Sequence, residues 1–175
     1  LDYLCRLESD LAMQVNVRAY VEQNFRNCSL ELVYFEMVAN AIDADATNIS
    51  IDISHGEPKA ESLKITITDD GKGMDDDGYA RFCMLLQGRD GGHKGVGRVS
   101  LLPNFDSITY TSYFSGKCRK MKFSYDFKAD DCKVTKQQLL PHKSGTSVEL
   151  EGYIKTRVWS DHYVTPSWIK DKLVN

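Results

Sequence analysis

A chain of 175 residues with 42% hydrophobic and 27% charged side chains has enough apolar material for one globular core, which excludes a disordered or fibrous protein. The formal net charge of −3 argues against a large, uniformly basic nucleic-acid surface, although a local patch fits inside that sum and nucleic acid stays open as a partner. No apolar run approaches the roughly 20 residues that cross a bilayer, and the start, LDYLCRLESD, lacks the layout of a secretion signal, so a soluble cytoplasmic or nuclear protein without a membrane partner is expected. Cys5, Cys28, Cys83, Cys118 and Cys132 are odd in number and widely spaced, with no C-x-x-C pair, and read as reduced structural cysteines. The four histidines show no metal-ligand spacing, so no protein-bound transition metal is expected.

From Asp10 to Asn24, Leu11, Val15, Val17, Tyr20 and Val21 recur at helical spacing, and a second helix is predicted from Leu30 to Ala44 behind a possible N-cap at Ser29. Thr47 to Ser54 and Leu63 to Thr68 are β-branched runs joined by a polar stretch with Gly and Pro, the pattern of a hairpin of half-buried strands. DDGKGM, from Asp69 to Met74, is too glycine-rich to continue a strand; Asp75 to Leu86 predicts a short helix, followed by a second glycine loop from Gly88 to Gly97. Ser107 to Phe114 and Lys117 to Phe127 read as strands around a Ser115-Gly116 turn, Gly145 to Leu150 as a last strand, and Ile154 to Val174 as a helical tail despite Pro166. Hairpin-length loops cannot join parallel strands, so the class is α+β with segregated helices and a largely antiparallel sheet.

Glu36, Asn40 and Asp43 fall on one polar stripe of the second helix, at i, i+4 and i+7. Phe35, Val38 and Ile42 form a separate apolar stripe, expected to pack into the core. Taken alone, the polar stripe reads as the solvated face of an amphipathic helix. Its company is what suggests a ligand: Asp69-Asp70-Gly71-Lys72-Gly73-Met74 at a strand end, and Gly91-Gly92-His93-Lys94-Gly95-Val96-Gly97 before Arg98 to Leu102. Glycines let backbone N–H groups close on an anion, and a helix beginning after the second loop would add its positive end, an arrangement suited to phosphates. Neither loop reads G-x-x-x-x-G-K-[ST] or G-x-G-x-x-G, which rejects P-loop and Rossmann sites.

The sequence resembles the GHKL ATPases (gyrase, heat-shock chaperone, histidine kinase, MutL). ELVYFEMVANAIDADAT is similar to their N-box, DDGKGM to the first glycine box, GGHKGVGRVS to the second, and Ser144-Gly145-Thr146 to the late Gly-Thr motif, in the family's order over residues 30 to 150. The resemblance implies a Bergerat fold, a two-layer α/β sandwich with a mostly antiparallel mixed sheet covered on one face by helices. It also implies one ATP-binding domain over residues 1–175, a fragment of a larger multidomain protein whose C-terminal domains are absent here. Glu36 then matches the general base that polarises the attacking water, and Asn40 the ligand of a phosphate-bridging Mg2+. Asp69 matches the acceptor for the adenine amino group, with Thr146 supporting it and Asp43 joining the network from the helix. Gly71 and Gly73 would pass beside the base with Met74 as an apolar wall. Gly92, His93, Lys94, Gly95, Val96 and Gly97 would cover the phosphates, Gln87 to Gly92 would form the lid, and Arg81, Arg89 and Arg98 are further phosphate partners or surface charges.

Implied activity is slow hydrolysis of ATP to ADP and phosphate, coupled to ATP-dependent homodimerisation of the full-length protein, with a second domain normally adding a Lys or Arg to the γ-phosphate. Other members of the family phosphorylate histidine, but these typically have an asparagine-rich pattern where Glu36 stands, and no phosphoacceptor motif surrounds any of the four histidines. A module that binds ATP without hydrolysing it is the remaining alternative. The short lid and GHKGVGRVS resemble the chaperone and microrchidia types more than gyrase.

Overall fold

In the computed structural model, which describes residues 16–84, 97–136, 143–155 and 159–174, the β-branched runs pair into one twisted layer. β1 (Ile49–Ser54) and β2 (Lys64–Asp69) form the expected hairpin, with Ile51 opposite Ile67 and Ile53 opposite Ile65. β3 (Phe105–Phe114), β4 (Lys117–Phe123), β5 (Lys133–Lys136) and β6 (Gly145–Tyr153) complete a six-stranded sheet in the order β1-β2-β6-β3-β4-β5. Every pairing among the described residues is antiparallel. β6, late in the sequence, enters between β2 and β3 and so joins the two hairpins into one sheet. Ser115 and Gly116 both have positive φ, 47° and 74°, the backbone of a primed turn whose twist suits the β3–β4 ribbon.

Side chains alternate across this sheet. Ile65, Ile67, Val148, Leu150, Ile108, Tyr110, Met121 and Phe123 are buried on one face. Thr66, Thr109, Thr111, Ser147, Glu149 and Lys120 occupy the other, a mostly polar face on which Tyr113 lies opposite the buried Cys118. The helices α1 (Val17–Asn24), α2 (Leu30–Asp43), α3 (Asp76–Cys83) and α4 (Pro166–Val174) belong to the buried face. Ser29 caps α2 by accepting from Leu32 N, and Pro166 opens α4 at the position where its missing N–H costs nothing. Tyr34 of α2 reaches the C-terminal segment, donating from its hydroxyl to Tyr163 C=O at 3.1 Å and meeting the Trp168 ring edge-on.

Two sequence expectations need correction. Phe35 and Ile42 do not face the core: they are 40% and 61% exposed, and Val38 is half-buried. The buried face of α2 is Leu30, Val33, Tyr34, Met37 and Ala41, a broader stripe at i, i+3, i+4, i+7 and i+11 that outcompetes the three-residue alternative. β5 was not expected, because KVTK is exposed at every position and its lysines mask the alternation. Boundaries also differ: β6 runs on to Tyr153, β4 stops at Phe123, and a short 3-10 helix, Gly97–Leu101, stands where a helix after the second glycine loop was expected. Of the predicted first helix, residues 10–15 lie outside the described residues.

Asp70 ties the first hairpin to the loop that follows it. Its carboxylate accepts from Thr47 N at 2.7 Å, Thr47 Oγ1 at 2.8 Å, Asn48 N at 2.8 Å and Asn48 Nδ2 at 2.7 Å. Those donors, the Asn48 side chain foremost, hold the Asp70 carboxyl well below the usual carboxylate range.

Two stability predictions follow from this packing. Ile108 is fully buried on β3, a central strand, and Ile108→Ala is expected to cost about 2–5 kcal/mol in a urea titration, whereas Thr109→Ala on the open face stays within about 1 kcal/mol. Because the folded Asp70 has a depressed pKa, its contribution is complete above the ordinary aspartate value of about 3.9 and drains away as pH falls from there. Asp70→Asn should therefore lower Tm at pH 7 and flatten the loss of Tm between about pH 4 and pH 2 relative to wild type; equal acid slopes for both proteins count against it.

Candidate functional site

The antiparallel pairing of β2 with β6 sets the end of β2 beside the start of β6, so Asp69 and Thr146 become neighbours although 77 positions separate them. Asp69 is half-buried there. Its Oδ1 accepts from Gly71 N at 2.9 Å and from Thr146 N at 3.2 Å. Among the described residues, no hydrogen bond to Asp69 Oδ2 accompanies these two, which leaves that oxygen for a donor from outside the chain. Burial pushes the Asp69 carboxyl above the usual carboxylate range, opposed by the two backbone N–H bonds. Asp69 and Thr146 border a depression of about 390 Å³, but Thr68, Thr111, Lys120, Ser147 and Glu149 also line it, which puts it on the open face of the sheet and away from α2.

Thr146 meets Asp69 through its backbone N–H. The hydroxyl lies 2.9 Å from Ser112 Oγ, and Ser112 also accepts from Met74 N at 2.9 Å. Ser112 is fully buried, one of few buried polar side chains. Sequence reading missed it: TYTSYF looks like any strand, and a serine in register with core residues was the one available signal.

The loop between β2 and α3 is shaped by close approaches. Gly71 is buried against Ala44 at the end of α2, where an added Cβ would stand 2.7 Å from Ala44 C=O, and Lys72 N donates to that same carbonyl at 2.8 Å. Gly73 has φ +75° and lies so near Tyr113 that any side chain would strike its carbonyl. Met74 is half-buried against the core, its carbonyl accepting from Arg119 Nε at 3.2 Å. Arg119, nearly inaccessible, also pairs with Asp76 in the first turn of α3 and lies over the Tyr79 ring, fixing the far end of the loop.

On α2, Glu36, Asn40 and Asp43 share one flank: Glu36 is half-buried, Asn40 and Asp43 are exposed. The Asp43 carbonyl accepts from Lys72 Nζ at 3.5 Å, a contact that joins helix and loop. Glu36 packs directly against Gly97, where a Cβ would overlap its carboxylate. Its charge reaches Cys28 and the buried Tyr110, working against ionisation of both. Gly97 is the one predicted phosphate-loop residue among the described residues; Gly92, His93, Lys94, Gly95 and Val96, with Arg89 and residues 87–91, lie outside them. Arg98 is no surface charge: its guanidinium donates to Met84 C=O at 2.9 Å and stacks over Phe82. Arg81 is exposed on α3.

These elements leave a wall with two chemistries. At one end is a half-buried carboxylate with an uncommitted oxygen, beside glycine backbone and a methionine, suited to a planar ring bearing an N–H donor. Toward the other is a carboxylate-amide pair one helical turn apart, beside the entry to a glycine loop.

A sequence model of the histidine kinase-, DNA gyrase B-, and HSP90-like ATPase family matches residues 28–151. No curated protein sequence matches. The 43K ATPase domain of Thermus thermophilus gyrase B, solved in complex with an aminocoumarin, is similar in fold at 20% identity and a TM-score of 0.58, over 89% of this chain and 42% of that one. The N-terminal domain of a DNA repair protein aligns at 22% identity and a TM-score of 0.49, over 70% of this chain and 34% of that one. This chain therefore spans less than half the length of either structure. Among the described residues, no helix is long and apolar enough to cross a membrane. With four boxes in order and most of its length within the family model, the chain belongs to the histidine kinase-, DNA gyrase B-, and HSP90-like ATPases, the GHKL group, whose shared property is an ATP-binding domain.

Proposed function

We propose that this domain binds ATP with magnesium and hydrolyses it slowly to ADP and phosphate, acting as an ATP-driven conformational and dimerisation switch within a longer protein. The observation that carries the reading is Asp69: one carboxylate oxygen pinned by two backbone N–H groups, the other left for a ligand donor. An adenine amino group supplies that donor, whereas guanine has a carbonyl in its place. Gly71 and Gly73 let the base lie against backbone, with Met74 as its apolar wall and Asp43 at the rim.

Glu36 is assigned as general base. A carboxylate can take the proton of a water as that water attacks the γ-phosphate, and the close packing of Gly97 restricts where this carboxylate can point. The chain's donors also suit Mg2+, which takes one or two protein oxygens and completes its shell with phosphates and waters. Asn40 offers an amide oxygen, and no cluster of three His, Cys, Asp or Glu among the described residues competes as a self-sufficient metal cage. When bound, the ion would neutralise phosphate charge. Gly92, His93, Lys94, Gly95 and Val96 are assigned to cover the phosphates by backbone N–H groups. A Lys or Arg from outside this chain would complete the γ-phosphate contacts, which accounts for weak turnover by the domain alone; Glu36 distinguishes this from a kinase acting on histidine.

Calorimetric titration with Mg-ATP and Mg-GTP tests the roles separately. Wild type should bind ATP and not GTP; Asp69→Asn should lose about 10- to 100-fold in ATP affinity, while Glu36→Gln keeps it and loses at least about 100-fold in turnover. A wild type indifferent to ATP, or a Glu36→Gln protein that hydrolyses normally, rules the assignment out. Gly97→Ala, which displaces the Glu36 carboxylate, should lower kcat about tenfold or more with Ile108-region stability unchanged; an unaltered kcat would mean that the packing against Gly97 does not set the position of the base.

A further inference from the structure

The basic residues of β4 and β5 are sorted by face. The two strands, KCRKMKF and KVTK, carry six basic residues and no acidic one, in a chain whose net charge is −3. Alternation sends Lys117, Arg119 and Lys136 to the helix side of the sheet and Lys120, Lys122 and Lys133 to the open side. On the helix side Asp76 answers the charge, pairing with both Lys117 and Arg119. On the open side Lys120, Lys122 and Lys133 are exposed, and among the described residues no ion pair reaches them. The acids of β6, Glu149 and Glu151, stand two strands from β4 and are held by Lys64 at 3.1 and 2.9 Å. Asp131, in the turn between β4 and β5, is drawn back onto Lys128 N at 2.8 Å. Lys133 and Lys120 face each other across the ladder, a like-charge pairing that an anion laid over both would relieve. Hydroxyls flank these ammoniums, Thr111 across from Lys120 and Thr109 across from Lys122. Tyr113 lies on the same face, and Lys143 brings a fourth ammonium to it, 3.9 Å from the centre of its ring.

We infer that the open face of β3, β4 and β5 is a docking surface for single-stranded RNA. This reading is independent of the nucleotide site. Ammoniums on adjacent strands, about 4.8 Å apart, and at alternate residues of one strand, about 6.7 Å apart, lie close enough for successive phosphates of one chain to reach them all. Tyr113 offers a flat ring on which a base can stack. An exposed ammonium holds such a ring less strongly than a stacked base does, so a base displaces Lys143 from the ring and leaves it for a phosphate. The Thr109 and Thr111 hydroxyls both give and accept hydrogen bonds, which matches the ribose 2′-hydroxyl that DNA lacks. A duplex keeps its bases inside and an acidic peptide has none, so neither uses Tyr113.

Fluorescence anisotropy on the whole chain tests this with oligouridylate about ten nucleotides long, against oligodeoxyuridylate of equal length, inorganic polyphosphate and polyglutamate. Log affinity for oligouridylate should fall against log salt with a slope of about −3, from roughly 0.7 per lysine. Lys122→Ala/Lys133→Ala should weaken it about tenfold or more and cut that slope by about 1.4, while Lys136→Ala, which removes the same charge from the other side of β5, should cost less than about twofold. Tyr113→Leu should weaken oligouridylate about fivefold and polyphosphate less than about twofold. Oligodeoxyuridylate should bind about threefold more weakly than oligouridylate in wild type. Wild type that binds none of the four at low salt overturns the inference, and so does an equal loss from Lys136→Ala and the double variant, which would mean that net charge and not a face is read. Oligodeoxyuridylate bound as tightly as oligouridylate makes the surface blind to ribose, and polyphosphate or polyglutamate bound as tightly makes it blind to bases; either result removes RNA as its occupant. Titration with Mg-ATP, which the lysine variants should leave unchanged, separates the two sites: a chain that ignores ATP and binds RNA in this pattern sinks the ATP reading and keeps this one.

Discussion

Asp69 Oδ1 accepts from Gly71 N and Thr146 N, so a single half-buried oxygen joins the end of β2 to the loop that follows it and to the start of β6. Everything else in the site depends on that junction. The two N–H donors belong to backbone, which a sheet holds in place more firmly than it holds side chains, and they leave the second oxygen with a fixed direction. Charge-assisted bonds of this kind are among the stronger ones a protein makes, and part of that strength is spent here on keeping a carboxylate out of water. β6 is what makes the junction reachable: its insertion between β2 and β3 brings Asp69, Ser112 and Thr146, from three strands, to one end of the sheet.

Asp69 and Asp70 are adjacent in sequence and pushed in opposite directions. Burial raises the first, while a set of donors from Thr47 and Asn48 lowers the second. Asp69 is the last residue of β2 and Asp70 the first beyond it, where the chain turns to meet Thr47 and Asn48. One aspartate is placed where a ligand can offer a partner, and the other is already satisfied by the chain before β1. The loop Gly71 to Met74 is thereby anchored at both ends, by Asp70 on one side and by Arg119 with Asp76 on the other. Between those anchors Gly71 and Gly73 run against backbone with no room for a side chain. The site wall is stiff for reasons of packing, before any nucleotide arrives.

Much of this was legible in the sequence where period and punctuation agreed. The hairpins, the Ser29 cap, the α2 helix and the DDGKGM loop all carry local signals that survive tertiary folding. What was not legible depended on partners far along the chain. The polar flank of α2 was found, yet the apolar stripe was assigned to the wrong side, because Tyr34 and Met37 meet α4 and the sheet in ways that helical spacing alone does not reveal. Thr146 was found by motif, but its hydroxyl's partner was not, since Ser112 lies on a different strand and nothing in TYTSYF distinguishes it. β5 was hidden by its lysines.

Those lysines have a consequence of their own. β5 is an edge strand, and its pairing with β4 sets Lys136 opposite Lys117 and Lys133 opposite Lys120. Lys117 is relieved by Asp76 at 3.4 Å, but like charges across a ladder repel, and exposed charges are screened by salt. The margin of this sheet is therefore loosest in dilute buffer and firmest at high ionic strength, the reverse of a surface built on ion pairs. The same repulsion discourages a second molecule's lysine-bearing edge from docking in register, so the strand closes the sheet by being an unattractive template.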